Sequence, residues 1–194
     1  MTKRKIILVP DEILRKKSEK IEKITDKEKQ LADDLFETMY NNNGIGLAAV
    51  QVGVLRRMIV IDVSKKDEVA AMLEDIKEVF GYHPSILINN AMTSYIFNGD
   101  DRKNAESITW DEILDHLNVT LKGSLNLIQG LISDMKSESF GRIINIGTNL
   151  VQNPVVPYHD YTVAKAALLG LTRTFAKDLG PYGITVTMLS GGLL

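Results

Sequence analysis

The chain has no cysteine among its 194 residues, which excludes disulfides, thiolate nucleophiles and every zinc site that needs a Cys ligand. Histidine is nearly as scarce. His83, His116 and His159 are scattered with no HExxH spacing, so no helix presents the paired imidazoles of a hydrolytic metal site. No metal is expected. Aromatic residues make up only 6%, and no pure basic stripe accompanies them, so a nucleic-acid partner is not expected either. Long apolar runs are also missing. Ile6–Val9, ahead of Pro10, is too short for the core of a secretory signal, and nothing approaches the roughly 18 apolar residues of a membrane span. These absences describe a cytoplasmic protein with no membrane partner.

What remains is an ordinary soluble mixture, 44% hydrophobic and 25% charged, long enough for one well-buried α/β core. The net charge of -2 hides an asymmetry, because residues 1–30 hold ten Lys and Arg against six Asp and Glu. Their interleaved signs read as a solvated helical face.

Apolar spacing then predicts the elements. Ile6–Val9 reads as a short strand. Thr25 caps a helix in which Leu31, Leu35, Phe36 and Met39 share a face. Met58–Val63 reads as a buried strand, and Ser64 with Asp67 as a capping box opening a helix lined by Val69, Met72, Leu73, Ile76 and Val79. Ser85–Asn89 is the next strand. Thr109 and Glu112 form another capping box, ahead of an apolar stripe that runs from Trp110 through Ile113, Leu117 and Leu121 to Ile128. Arg142–Ile146 is strand, Tyr161–Leu179 is a helix ended by Gly180, and Ile184–Leu189 is a last strand. Strands alternating with helices from residue 57 onward predict βαβ units in a parallel sheet.

The stretch NNNGIGLAAVQVG, residues 41–53, tests that scheme. A dinucleotide phosphate loop needs a strand before its glycines and a helix after them. Here the preceding LADDLFETMY is helical by its spacing, and Gly53 intervenes before a following helix could form. The context requirement fails on both sides. GIGLAAVQVG, with PDEILRKKSEKI and RRMIVIDV around it, instead resembles the first motif of the peptide deformylases over residues 1 to about 63. In that family the matching Gln51 and the backbone near Leu47 hold the substrate carbonyl beside a metal, so the resemblance implies Gln51 as an oxyanion donor. The family's Cys ligand and its HExxH helix have no counterpart in this chain.

In YTVAK, Tyr161 and Lys165 are four residues apart on a helix, so both side chains reach one place. A phenol with its ordinary pKa of about 10 is a poor acid at neutral pH, and a neighbouring ammonium favours its ionised form. Such a pair can move a proton to or from a carbonyl or alcohol oxygen. From about Ile61 the stretches DVSKKDEV, ILINNA, LNVTLKGSLN, GRIINIGTNL, YTVAKAALLGLTRTFAKDLGPYGITV and SGGLL resemble the short-chain dehydrogenase/reductases, particularly the 3-oxoacyl-[acyl carrier protein] reductase branch. That resemblance implies a partial Rossmann-like parallel sheet flanked by helices over residues 61–194, after a deformylase-like α+β segment over 1–60.

By the same resemblance Tyr161 is the proton donor and Lys165 also bonds the nicotinamide ribose. Thr148, thirteen residues before Tyr161, stands where the family usually has a Ser that polarises the substrate carbonyl, and Asn118 matches the Asn of a proton-relay water. The implied cofactor, NAD or NADP, would meet Asp62 and Val63 at its adenine, Asn90, Ala91 and Met92 where the family has Asn-Ala-Gly, and Gly191 and Gly192 near the nicotinamide. The substrate would be a small-molecule carbonyl, with an acyl-carrier-bound one among the candidates, and a homo-oligomer is left open.

The family's first strand, its TGxxxGxG loop, its second strand and its closing lid helix and strand have no counterpart. An uncovered central strand exposes unpaired backbone groups, which predicts that Ile6–Val9 or Met58–Val63 pairs beside Ile86–Asn89. Two other readings stand beside the reductase: a metal hydrolase of the deformylase type, and a non-catalytic chimera of the two families.

Overall fold

The computed structural model of the chain describes residues 2–42, 46–93 and 99–191. It divides into two compact units, Met1–Asp62 and Val63–Leu194. Among the described residues no helix is long and apolar enough to cross a membrane.

The N-terminal unit is organised by helix α1, Asp26–Asn41, which Thr25 caps as expected, and a capping box not read from the sequence forms there: the Thr25 backbone N–H donates to Glu28 Oε2 at 3.0 Å. Leu31, Leu35 and Met39 lie on the buried side of α1 and pack with Leu47, Ala49 and Val60. Phe36 departs from the expected face. It is partly exposed and stacks on Tyr40 at 6.3 Å, one turn along the outer surface.

Strand β1, Gly46–Ala48, pairs antiparallel with β2, Ile59–Ile61. The expected strand at Ile6–Val9 does not form. Leu8 and Val9 are exposed, Val9–Pro10 is a cis peptide, and the backbone bond from Ile7 N–H to the Gln51 carbonyl (2.8 Å) is a single tether with no ladder behind it. Proline supplies no donor to continue such a ladder.

The C-terminal unit contains helix α2, Lys66–Phe80, and strand β3, Ile86–Asn89. Helix α3, Trp110–Leu117, follows, then a π-helical turn at Asn118–Gly123 and helix α4, Ser124–Ser137. Strand β4, Gly141–Thr148, helix α5, His159–Leu179, and strand β5, Ile184–Gly191, complete it. The three strands form a parallel sheet in the order β3-β4-β5, an α/β arrangement flanked by helices. The N-cap position of α2 is Lys65, one residue beyond the expected Ser64, and the Lys65 side chain makes no capping hydrogen bond. Its first turn instead carries Asp67 and Glu68, which oppose the positive end of the helix dipole. Trp110, placed on the apolar stripe of α3 by its spacing, is 65% exposed.

The sheet alternates as a half-buried surface should. Ile143, Asn145, Ile184 and Val186 are buried on the face that meets α5, while Ile86, Ile88 and Leu189 on the other face are 58%, 59% and 63% exposed. Neither Ile6–Val9 nor Met58–Val63 completes the sheet. Ile59–Ile61 pairs with β1, and among the described residues β3 has a strand neighbour on one side only. The reason is local: a three-residue strand joined to β1 by a short connection finds its antiparallel partner at low loop-closure cost.

Two expected outcomes follow from local geometry. Gly183 closes the turn before β5 at φ +73°, and a Cβ there would lie 2.3 Å from the Ser139 carbonyl oxygen. Gly183→Ala should therefore lower unfolding free energy in urea by about 1–3 kcal/mol. The Glu112 carboxyl is held at about 2 by hydrogen bonds from Lys103 and then Thr109. This folded value lies below the ordinary 4.5, so the contribution is complete above 4.5 and disappears as pH falls through about 2. Glu112→Gln should flatten the fall in melting temperature across that interval.

Candidate active site

Of the expected residues, Thr148 and Gly191 stand at the carboxyl ends of β4 and β5, and Asn90 just beyond that of β3, where ligands bind in open α/β sheets. Lys165 is buried in the second turn of α5 at 2% exposure, and its Nζ donates to the Ile146 carbonyl of β4 at 2.6 Å. The same Nζ lies 5.7 Å from the centre of the Tyr161 ring. Burial holds the ammonium below the usual lysine range. Thr148 is two residues further along β4, buried and extended, with its Oγ1 accepting the Leu150 N–H at 3.3 Å. Thr148 is opposite Gly191 in the β4–β5 register. A Cβ on Gly191 would meet nothing within 4 Å. Gly192 lies outside the described residues, as do Gly44 and Ile45.

Asn118 is half-buried at the first residue of the π-helical turn, a distortion that re-aims backbone carbonyls and recurs at functional sites. Asn90 and Ala91 are exposed just beyond β3, and Met92 is half-buried. Val63 opens the C-terminal unit, its carbonyl accepting Asn126 Nδ2 at 2.9 Å. Asp62 closes the N-terminal unit and is half-buried. In that unit Gln51 is half-buried, and its Oε1 accepts the Ala48 N–H at 2.8 Å. Part of the proposed oxyanion donor thus braces its own turn. Among the described residues, no three His, Asp or Glu side chains converge as metal ligands.

Two polar clusters escaped the sequence reading. In the first, Asn89 Nδ2 donates to Asn145 Oδ1 and Asn145 Nδ2 to Thr172 Oγ1, each at 2.8 Å and all buried. An Asn on the buried face of GRIINIG is its only signal. In the second, buried Asp160 accepts Arg102 Nη2 at 2.7 Å, and His116 Nε2 approaches the same oxygen at 3.6 Å. His116 also meets the Tyr161 ring edge-on at 6.4 Å. Burial lowers the His116 pKa, against the opposing pull of Asp160. Nothing in the spacing announces this cluster, because its members come from three separate segments.

Three parallel strands flanked by helices make an α/β fold whose carboxyl strand ends are the usual ligand position. The comparisons make this specific. The model of the family described as short chain dehydrogenase matches residues 40–194, and the chain belongs to that family.

Among solved structures it is similar to a 3-oxoacyl-[acyl-carrier protein] reductase with bound NAD from Brucella melitensis, at 29% identity and TM-score 0.62, covering 83% of this chain and 58% of that one. A short-chain dehydrogenase from Streptomyces avermitilis shares the fold at TM-score 0.60 and 24% identity, with 69% and 47% covered. The chain therefore spans about half the length of these solved relatives. Over 67 residues the chain is also 58% identical to a peptide deformylase of Finegoldia magna, covering 34% of this chain and 41% of that protein.

A buried ammonium is a stability cost that a functional site can carry. Lys165→Met keeps the volume and removes the charge, so the variant should unfold in urea at or above the wild-type midpoint. A loss of more than about 2 kcal/mol would show that the ammonium is net stabilising.

Proposed function

We propose that this chain is a nicotinamide-dependent reductase of small carbonyl compounds. The observation that carries the reading is the buried Lys165 ammonium, seated on the Ile146 carbonyl between the Tyr161 ring and the strand end that bears Thr148. A nicotinamide cofactor, NAD or NADP, supplies the hydride when bound. Tyr161 Oη donates the proton to the substrate oxygen, and the ammonium of Lys165 favours the phenolate left behind. Thr148 Oγ1 is a donor for the same oxygen, and Asn118 orders the water through which the proton is restored. Lys165 would also hold the ribose, with Asn90, Ala91, Met92 and Gly191 beside the cofactor and Val63 toward its adenine.

The residues present fit the nicotinamide half of such a cofactor: the groups carrying charge and hydroxyls lie at one sheet end, and the space beside Gly191 is open. The pyrophosphate half fares differently. Among the described residues no strand passes through a glycine turn into a helix N-terminus. Affinity would then rest on the nicotinamide end alone.

A cavity of about 500 Å³ beside the start of α5, lined by Pro154, Val155, Val156, Pro157, Thr162 and Val163, supports a substrate with an apolar arm. The Brucella relative is named for a 3-oxoacyl-[acyl-carrier protein] substrate, whose acyl chain would be such an arm. That no pyrophosphate cradle is seen among the described residues favours a second reading, a non-catalytic chimera, and one experiment separates the two. Fluorescence titration with NADH and NADPH should show binding, and Tyr161→Phe should lower the rate of carbonyl reduction by about a hundredfold or more without changing cofactor affinity. No binding at millimolar cofactor would establish the second reading.

A further inference from the structure

We propose that Asp160 is a positioning residue for Tyr161, clamping segment 99–102 and His116 onto the first turn of α5. This inference rests on the reductase reading for its meaning, and on coordinates independent of that reading for its geometry. Asp160 is the second residue of α5 and is 3% exposed. Each of its oxygens has a task. Oδ1 accepts the Tyr161 backbone N–H at 2.9 Å, and Oδ2 accepts Arg102 Nη2 at 2.7 Å. Two residues before it, buried Tyr158 receives a second tether, with the Gly99 N–H donating to its Oη at 2.8 Å. Segment 99–102 is therefore pinned at both ends to residues just ahead of Tyr161.

The third strut comes from α3. His116 Nε2 stands 3.6 Å from Asp160 Oδ2, and its ring meets the Tyr161 ring at 90°. An edge-on neighbour limits the swing of the phenol about its side-chain torsions. Meanwhile Lys165 reaches the ring from the next helical turn. The carboxylate thus joins three segments distant in sequence around one phenol. A surface pair would be worth little. This pair is largely desolvated, and the carboxylate also sits at a helix N-terminus, where negative charge is favoured.

The test is the double variant Arg102→Met with Asp160→Asn, which removes both charges at similar volume and leaves no unpaired ion. Three readouts are taken on the full chain: hydrogen exchange of the Gly99 amide, nitration of Tyr161 by tetranitromethane followed by peptide mapping, and steady-state reduction. The expected result is Gly99 exchange faster by about tenfold and faster nitration of Tyr161. The turnover number should fall on the order of tenfold to a hundredfold while KM for the nicotinamide is unchanged, a split that general loosening of the fold would not give.

Arg102→Lys keeps the charge but not the reach, and should shift the same readouts in a chain with a wild-type melt. Wild-type exchange and nitration in both variants would overturn the proposal. A wild-type chain that neither binds nor turns over nicotinamide would remove the reductase reading alone, because exchange and nitration decide the clamp without it.

Discussion

The site depends on the lateral alignment of three short parallel strands with one helix, and that alignment is set by a buried amide ladder. Asn89 at the end of β3 bonds Asn145 in the middle of β4, and Asn145 bonds Thr172 of α5, whose hydroxyl in turn donates to the Leu168 carbonyl at 2.7 Å. Apolar strands alone leave register loosely specified, since Ile and Val positions can exchange neighbours at modest cost. A slip of one residue would carry Asn145 to the opposite face and strand two buried amides without partners. The penalty for that slip is what holds Ile146 under Lys165, Thr148 at the strand end and Asn90 beyond β3.

Given this frame, the two buried charges acquire a common logic. Lys165 and Asp160 lie on the first two turns of α5, one on each side of Tyr161 in sequence, and each is almost wholly removed from solvent. Neither is a good investment in stability, because a desolvated ion recovers its solvation loss only through well-formed bonds. The ammonium holds a single backbone carbonyl. The carboxylate holds a guanidinium and the neighbouring amide. Two buried ions within six consecutive residues fit the proposed site, where pre-set position and charge matter more than folding energy.

Much of this was legible from residues alone, and the exceptions have physical causes. Strands at Ile86–Asn89, Gly141–Thr148 and Ile184–Gly191, and the helix carrying Tyr161 and Lys165, follow from apolar spacing that burial then selects. The cap at Thr25 and the capping box at Thr109 form because their partners are local. Ile6–Val9 failed because an apolar run becomes a strand only where a partner edge exists, and the cis proline after it gives no donor. Phe36 and Trp110 satisfied helical periodicity yet stay at the surface, since periodicity locates a face and not its limits. Asp160, Arg102 and His116 could not be paired in advance, as a contact among three segments is created by the tertiary fold.

The fate of NNNGIGLAAVQVG illustrates the difference between composition and conformation. The dehydrogenase family model extends back to residue 40, so its matched span includes these glycines. In the described part of the segment, however, Gly46 is already within a strand antiparallel to β2, and the residues after it form a short 3-10 turn from Ala49 to Val52. Asn41 ends α1 and Asn42 caps it. A phosphate cradle works because consecutive N–H groups converge at a helix start. In β1 those groups alternate across a strand instead, and one of them, from Ala48, is taken by Gln51. Gly46 therefore belongs to a strand pairing and not to a phosphate turn among the described residues.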